Sequence, residues 1–176
     1  MPILAPQSME FISRSAEQTR RMGMRLGGLL RPGDVVGLSG DLGAGKTTLV
    51  QGLASGWGSL DTVTSPTFVL VNMYRRPARP ERTPAAASLL YHLDAYRLAG
   101  TPEQVQAQMI DLDMETMLAT GVLVVEWAER VQEVLPSGKL SVTMKWVDEN
   151  QRDLMFTAEG VRYERLLSSL KKQTYG

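Results

Sequence analysis

Apolar residues recur along this chain at two spacings, and the switches between them outline its elements. Glu10-Phe11-Ile12 reads as a short first strand. Ser15 and Gln18 then stand at capping-box spacing. After them Met22, Leu26, Leu29 and Leu30 form a helical stripe that Pro32-Gly33 ends. Asp34-Val35-Val36-Gly37-Leu38-Ser39 reads as a buried strand. Helical spacing returns from Thr47 to Ala54, with Leu49, Val50, Leu53 and Ala54 on one face, and Gly56-Trp57-Gly58 closes it. Thr67 to Tyr74 and Leu89 to Leu93 are rich in strand formers and read as the two arms of a hairpin. Their connection, Arg75 to Ser88, carries Pro77, Pro80 and Pro84 with Arg75, Arg76, Arg79 and Arg82, and reads as a mobile, solvated insertion.

The second half continues the alternation. Thr101-Pro102-Glu103-Gln104 opens a helix with a threonine cap, proline at the first helical position and a capping-box glutamine. A short helix is expected over Asp113 to Leu118. Gly121-Val122-Leu123-Val124-Val125 is the most apolar strand and ends in Glu126. Leu140 to Trp146 and Arg152 to Ala158 alternate, as half-exposed antiparallel strands do. Tyr163, Leu166, Leu167 and Leu170 mark a final amphipathic helix, with Lys171 and Lys172 complementing its C-terminal dipole. The order predicts an α/β fold in three layers around a mixed, partly antiparallel sheet, with residues 1–176 as one unit.

Composition narrows the class. Nineteen basic residues cancel nineteen acidic ones, so no global charge surplus marks a chain that grips DNA or RNA by itself. The absence of cysteine removes disulfides and thiolate metal sites. Met1 to Gln7 is too short and uncharged for a secretion signal, and no apolar run reaches membrane-spanning length. The expectation is a cytoplasmic protein without a membrane partner.

The chemistry concentrates in Gly40-Asp41-Leu42-Gly43-Ala44-Gly45-Lys46-Thr47-Thr48. This run fits G-x-x-x-x-G-K-[ST], and it stands between a strand and a helix, as a phosphate-binding P-loop must. Backbone N–H groups at a helix N-terminus replace the water around a polyphosphate, and the helix dipole favours the charge. Glycines let the backbone approach the phosphate closely. Lys46 is placed to reach the β- and γ-phosphates, and the Thr47 hydroxyl to ligate Mg2+. Thr48 packs, caps or lines the same site. ATP or GTP with Mg2+ is the implied ligand, and the lack of an N-K-x-D stretch disfavours GTP.

A P-loop needs a further acidic group, and an apolar strand ending in a carboxylate is the usual supplier. Glu126 fits that form, as a magnesium or water ligand or as a plain strand-end glutamate. Asp94 ends the strand Leu89 to Leu93 and is a second candidate, or a turn aspartate. His92 lacks histidine or cysteine neighbours and reads as a partly buried, satisfied imidazole. Arg97 is read as a partner of Asp94, a phosphate contact or a surface ion pair. Thr64-Ser65-Pro66-Thr67 is either a proline turn or a segment whose Ser65 or Thr67 senses the γ-phosphate. From residues alone an ATPase switch, a small-molecule or nucleotide kinase and a nucleotide-gated binding module all remain open.

Four blocks occur together and in one order: Gly40 to Thr47, Ser65-Pro66-Thr67-Phe68, His92-Leu93-Asp94-Ala95-Tyr96-Arg97, and Val125-Glu126-Trp127-Ala128-Glu129-Arg130. In these the chain resembles the TsaE (YjeE) family of small bacterial P-loop ATPases, over about residues 8 to 160. That family belongs to the machinery making threonylcarbamoyladenosine in tRNA. The resemblance implies ATP hydrolysis with Mg2+, weak alone and raised by partners. It implies Lys46 on phosphate, Thr47 on magnesium, Asp94 and Glu126 as acidic active-site residues, Thr67 in a switch-like segment and Trp127 beside the nucleotide. The implied partners are the TsaD and TsaB proteins, with tRNA met only through them. ATP use is expected to reset that complex. The insertion from Arg75 to Ser88 departs from the family by its length.

Overall fold

The computed structural model describes residues 7–64, 70–77, 89–98 and 100–176. Its strands are β1 (Ser8–Ser13), β2 (Val35–Gly40), β3 (Val71–Arg75), β4 (Leu89–Asp94), β5 (Gly121–Glu126), β6 (Lys139–Trp146) and β7 (Arg152–Glu159). The helices are α1 (Ala16–Leu29), α2 (Lys46–Trp57), α3 (Pro102–Ile110), α4 (Met114–Thr120) and α5 (Val161–Tyr175), with short 3-10 turns at Ala95–Arg97 and Ala128–Arg130. The strands form a single sheet ordered β1-β7-β6-β2-β5-β4-β3. The four central strands β6, β2, β5 and β4 are parallel, while β3 pairs antiparallel with β4, and β7 with β6 and β1. The sheet is therefore mixed, as the sequence predicted.

Alternation along β5 builds the layers. Val122 and Val124 join the core under α1, α2 and α5, while Leu123 and Val125 join the core under α3 and α4. Every residue of β5 is buried. A strand covered on both faces reads as a continuous apolar run, which is why this one stood out. β6 is parallel to β2 on one side and antiparallel to β7 on the other. Its alternation reflected that second pairing and was silent about the first, which joins segments far apart in the chain.

The expected hairpin is present as β3 and β4, in register from Val71↔Leu93 to Arg75↔Leu89. Its expected start, with Ser65 and Thr67, lies outside the described residues, and so does the part of the predicted mobile loop from 78 to 88. Arg75 closes β3, and the Arg76 guanidinium lies 3.3 Å from the centre of the Trp57 ring. The connection therefore starts later than predicted.

Helices α1 and α2 pack through glycines. A Cβ at Gly23 would overlap the Leu49 carbonyl, and one at Gly27 the Leu53 carbonyl. In return, a Cβ at Gly52 would overlap the Arg20 carbonyl, and one at Gly56 the Met24 carbonyl. Each helical glycine forgoes about 1 kcal/mol against alanine. Close backbone approach is the compensating gain, and it seats α2 firmly behind the end of β2. Gly56 thus serves packing within α2, and Gly58, at φ 101°, is the residue that ends the helix.

Candidate nucleotide site

Parallel pairing brings three strand ends together. Leu38 of β2 lies opposite Glu126 of β5, and Asp94 of β4 lies opposite the same Glu126. On β4 and β5, the side chains of Leu90 and of Val122 and Val124 belong to the α2 side of the sheet. The two-residue period puts Asp94 and Glu126 on that same side. From β2 the chain turns through Gly40 to Gly45 and enters α2 at Lys46.

Gly43 and Gly45 have φ of 80° and 96°, values that strain any residue with a Cβ. Gly45 caps α2, and no side chain caps that terminus. Its first N–H groups are therefore free of intrahelical partners and aim at whatever enters the loop. The Lys46 ammonium is folded into the loop, donating to the carbonyls of Gly40 at 2.6 Å and Asp41 at 2.8 Å. It also lies 3.9 Å from the centre of the Trp127 ring, a cation–π contact. Burial lowers its pKa against the pull of Glu126, Glu129, Asp41 and Asp94. An anion placed here regains the energy that burial of this cation costs.

Thr47 donates its hydroxyl to Glu126 Oε1 at 3.0 Å. That contact uses the hydroxyl proton and leaves the oxygen lone pairs available to a cation. Glu126 is nearly fully buried, at 3% exposure. Its Oε1 also meets His92 Nε2 at 2.9 Å, and His92 Nδ1 meets the Tyr74 hydroxyl at 3.0 Å. His92 is thus completely buried with both nitrogens engaged, where partial burial was expected. Asp94 accepts from the Tyr96 N–H at 3.0 Å, and burial is the main cause that raises its pKa.

Immediately after Glu126, Trp127 takes φ 57°, a rare left-handed conformation for a bulky residue. The turn sets its ring against Tyr96, with centroids 5.0 Å apart. Arg130 holds the underside of this pair by donating to the carbonyls of Tyr96 and Leu98. Of the predicted residues, Leu42, Gly43, Gly45, Lys46, Thr47, Thr48, Asp94, Arg97, Glu126 and Trp127 line one cavity of about 480 Å³, within the range of small-ligand sites. Asp41 contributes its carbonyl to Lys46. Ala44 is buried and its N–H returns to Asp41, so it shapes the loop from behind. A larger cleft of about 750 Å³ lies between the start of α3 and Glu129 to Val134. It holds none of the glycine-loop amides and neither Lys46 nor Thr47, so size does not make it the phosphate site.

Two site features escaped sequence reasoning. Arg152, at the start of β7, donates to the Gly43 carbonyl at 3.2 Å and lines the cavity from across the sheet. Nothing local marks it. The link from His92 to Glu126 had a signal: His92 stands two residues before Asp94 in a strand and so shares its face.

The donor set fits a magnesium nucleotide. Uncapped amides and Lys46 suit phosphate oxygens, while Thr47 and the carboxylates suit a hard cation. Among the described residues no group of three or more His, Cys, Asp or Glu could cage a metal ion. Mg2+ matches such a site, because it binds through one or two protein ligands together with phosphates and water.

A profile of the family "Threonylcarbamoyl adenosine biosynthesis protein TsaE" matches residues 13–154. The chain belongs to the TsaE family. It is 37% identical over 156 residues to the Bacillus subtilis tRNA threonylcarbamoyladenosine biosynthesis protein TsaE, covering 89% of each chain. Against the Streptomyces coelicolor protein of the same name it is 42% identical over 144 residues, covering 82% of this chain and 86% of the other. The crystal structure of Bacillus subtilis YdiB superposes with a TM-score of 0.70 at 32% identity, over 94% of this chain and 95% of that one. The TsaE match spans β2, α2, β4 and β5, and so takes in the glycine loop, Asp94, Glu126 and Trp127. Among the described residues no helix is long and apolar enough to cross a membrane.

Proposed function

We propose that this TsaE-family chain binds ATP with Mg2+ and hydrolyses it. In this reading, hydrolysis supports tRNA threonylcarbamoyladenosine formation by resetting a complex of the TsaD and TsaB proteins in the cytoplasm. The observation that carries the ATPase reading is the Thr47 hydroxyl donating to the buried Glu126, beside an uncapped helix N-terminus and a buried lysine.

In this reading the amides of Gly43, Gly45, Lys46 and Thr47 hold the phosphates, and Lys46 leaves its loop carbonyls to meet them. Thr47, Glu126 and Asp94 hold the magnesium ion directly or through water. When bound, that ion neutralises charge on the phosphate oxygens. Asp94 or Glu126 orients a water in line with the γ-phosphorus. As the water oxygen bonds to phosphorus and the bond to the ADP oxygen breaks, the water's proton passes to solvent or a carboxylate. The raised pKa of Asp94 moves that group toward the range of a useful base. Lys46 balances charge on the transferring group. Thr67 completes the γ-phosphate contacts, and Trp127 walls the site.

The test is phosphate release from ATP by the pure chain, with and without the TsaB and TsaD proteins. Slow release, dependent on Mg2+, raised by the partners and abolished by Lys46→Ala is the expected result. Transfer of labelled phosphate to an acceptor, with little free phosphate, would instead make the chain a kinase.

A further inference from the structure

The deepest polar group of the site is not at the loop. His92 is fully buried on β4, between Tyr74 of β3 and Glu126 of β5. Tyr74 is itself 3% exposed. Contacts run in series from the Thr64 carbonyl to the Tyr74 hydroxyl (3.0 Å), to His92 Nδ1 (3.0 Å), and from Nε2 to Glu126 Oε1 (2.9 Å). Thr47 meets the same Oε1.

Proton accounting orients this chain. The Tyr74 hydroxyl donates to Thr64 O, which Asn72 Nδ2 also reaches at 3.1 Å. The same hydroxyl meets His92 Nδ1 and braces the ring from that side. A carboxylate oxygen accepts, so the proton shared with Glu126 Oε1 is the one on His92 Nε2. A buried carboxylate needs such donors, and two of them on one oxygen fix its rotamer. Oε2 remains the oxygen with no donor from this set.

We propose that His92, braced by Tyr74, is the positioning residue of Glu126: it holds Oε1 against Thr47 so that Oε2 faces the reacting centre. This rests on the ATPase reading above. His92 is fully buried behind Glu126 and does not line the cavity. It acts through the direction of one carboxylate, and a displacement near 1 Å in such a group costs about a hundredfold in rate.

Two amide substitutions separate this from a merely structural role. A glutamine at 92 places its N–H where Nε2 stands and can still donate to Glu126. An asparagine stops at the level of Nδ1 and keeps only the Tyr74 side. The expected result is that His92→Asn lowers kcat by about 10- to 100-fold with KM for ATP little changed, while His92→Gln retains most of the turnover. Tyr74→Phe gives a smaller loss in the same direction. Thermal melts confirm that each variant is folded. Equal loss in the Asn and Gln variants, no loss in either, or a change confined to KM would overturn the proposal.

A second readout needs no hydrolysis. His92 is the sole histidine, so the 15N spectrum of its ring is unambiguous. The proposal requires a protonated Nε2, and a proton on Nδ1 alone would refute it. If the parent chain releases no phosphate under any condition, the ATPase reading fails by itself. The 15N tautomer, with the Mg2+ dependence of ADP affinity, then decides the role of His92. That dependence should be lost in His92→Asn and kept in His92→Gln, and the same dependence in both would reject the role.

Discussion

The two faces of the sheet are built differently. On one, α1 and α2 meet backbone to backbone through four glycines, and Met22, Leu26, Leu49, Val50 and Leu53 are wholly buried. On the other, α4 has no fully buried residue, and Leu112, Met114, Met117 and Leu118 are only partly covered. The glycine loop grows from the tight face. A phosphate cradle works by holding amides in place before the ligand arrives, and that demands a helix that cannot slide. The looser face carries no such duty. It supplies Trp127 and Tyr96 at the mouth of the cavity.

The contrast is broken most forcefully at Gly27. A valine there must push α1 off the Leu53 carbonyl, at a cost of about 3 kcal/mol. Denaturant unfolding should report this loss, and nucleotide affinity should fall with it. A neutral result would mean that the helices are free to shift.

Lys46→Ala comes next. It removes the ammonium from the loop and should weaken binding of ATP and ADP about 10- to 100-fold, as loss of a charged hydrogen bond does. Titration calorimetry measures it. Stability should not fall correspondingly, because burial already disfavours this charge.

Met117→Ala on the loose face should cost less than about 1 kcal/mol, since a partly covered side chain leaves little cavity behind. A loss as large as that at Gly27 would erase the distinction between the faces.

Asp94→Asn sharpens the comparison through pH. Burial raises the pKa of Asp94 in the folded state above its unfolded value of about 4. Below the unfolded value both states are protonated and the group contributes no difference. As pH rises through the folded value, the ionised carboxylate costs stability. The asparagine variant should therefore melt above the parent at pH 7, with the gap closing toward about pH 4. An equal gap at both pH values would contradict this. The same variant should turn over ATP more slowly.

Much of this was legible because it was local. The glycine loop, the apolar β5 and the carboxylates at two strand ends each sit in a short run with its own physical signature. Other features were hidden because they depend on pairing. Arg152 meets Gly43 only after β7 folds beside β6. His92 meets Glu126 only because β4 and β5 lie side by side. The apolar stripe of α1 is silent about Gly23 and Gly27, and only the opposing glycines of α2 reveal them as its contact surface. The 3-10 turn after Glu126 depends on a left-handed tryptophan, a conformation that no propensity predicts.

All of these expectations depend on the α2 N-terminus receiving a polyphosphate, and calorimetric titration of the folded chain with Mg-ATP examines that directly. Saturable heat that is sharply reduced in Lys46→Ala is the predicted result. A flat titration with a chain that melts cooperatively, and whose melting temperature the nucleotide does not raise, would contradict it.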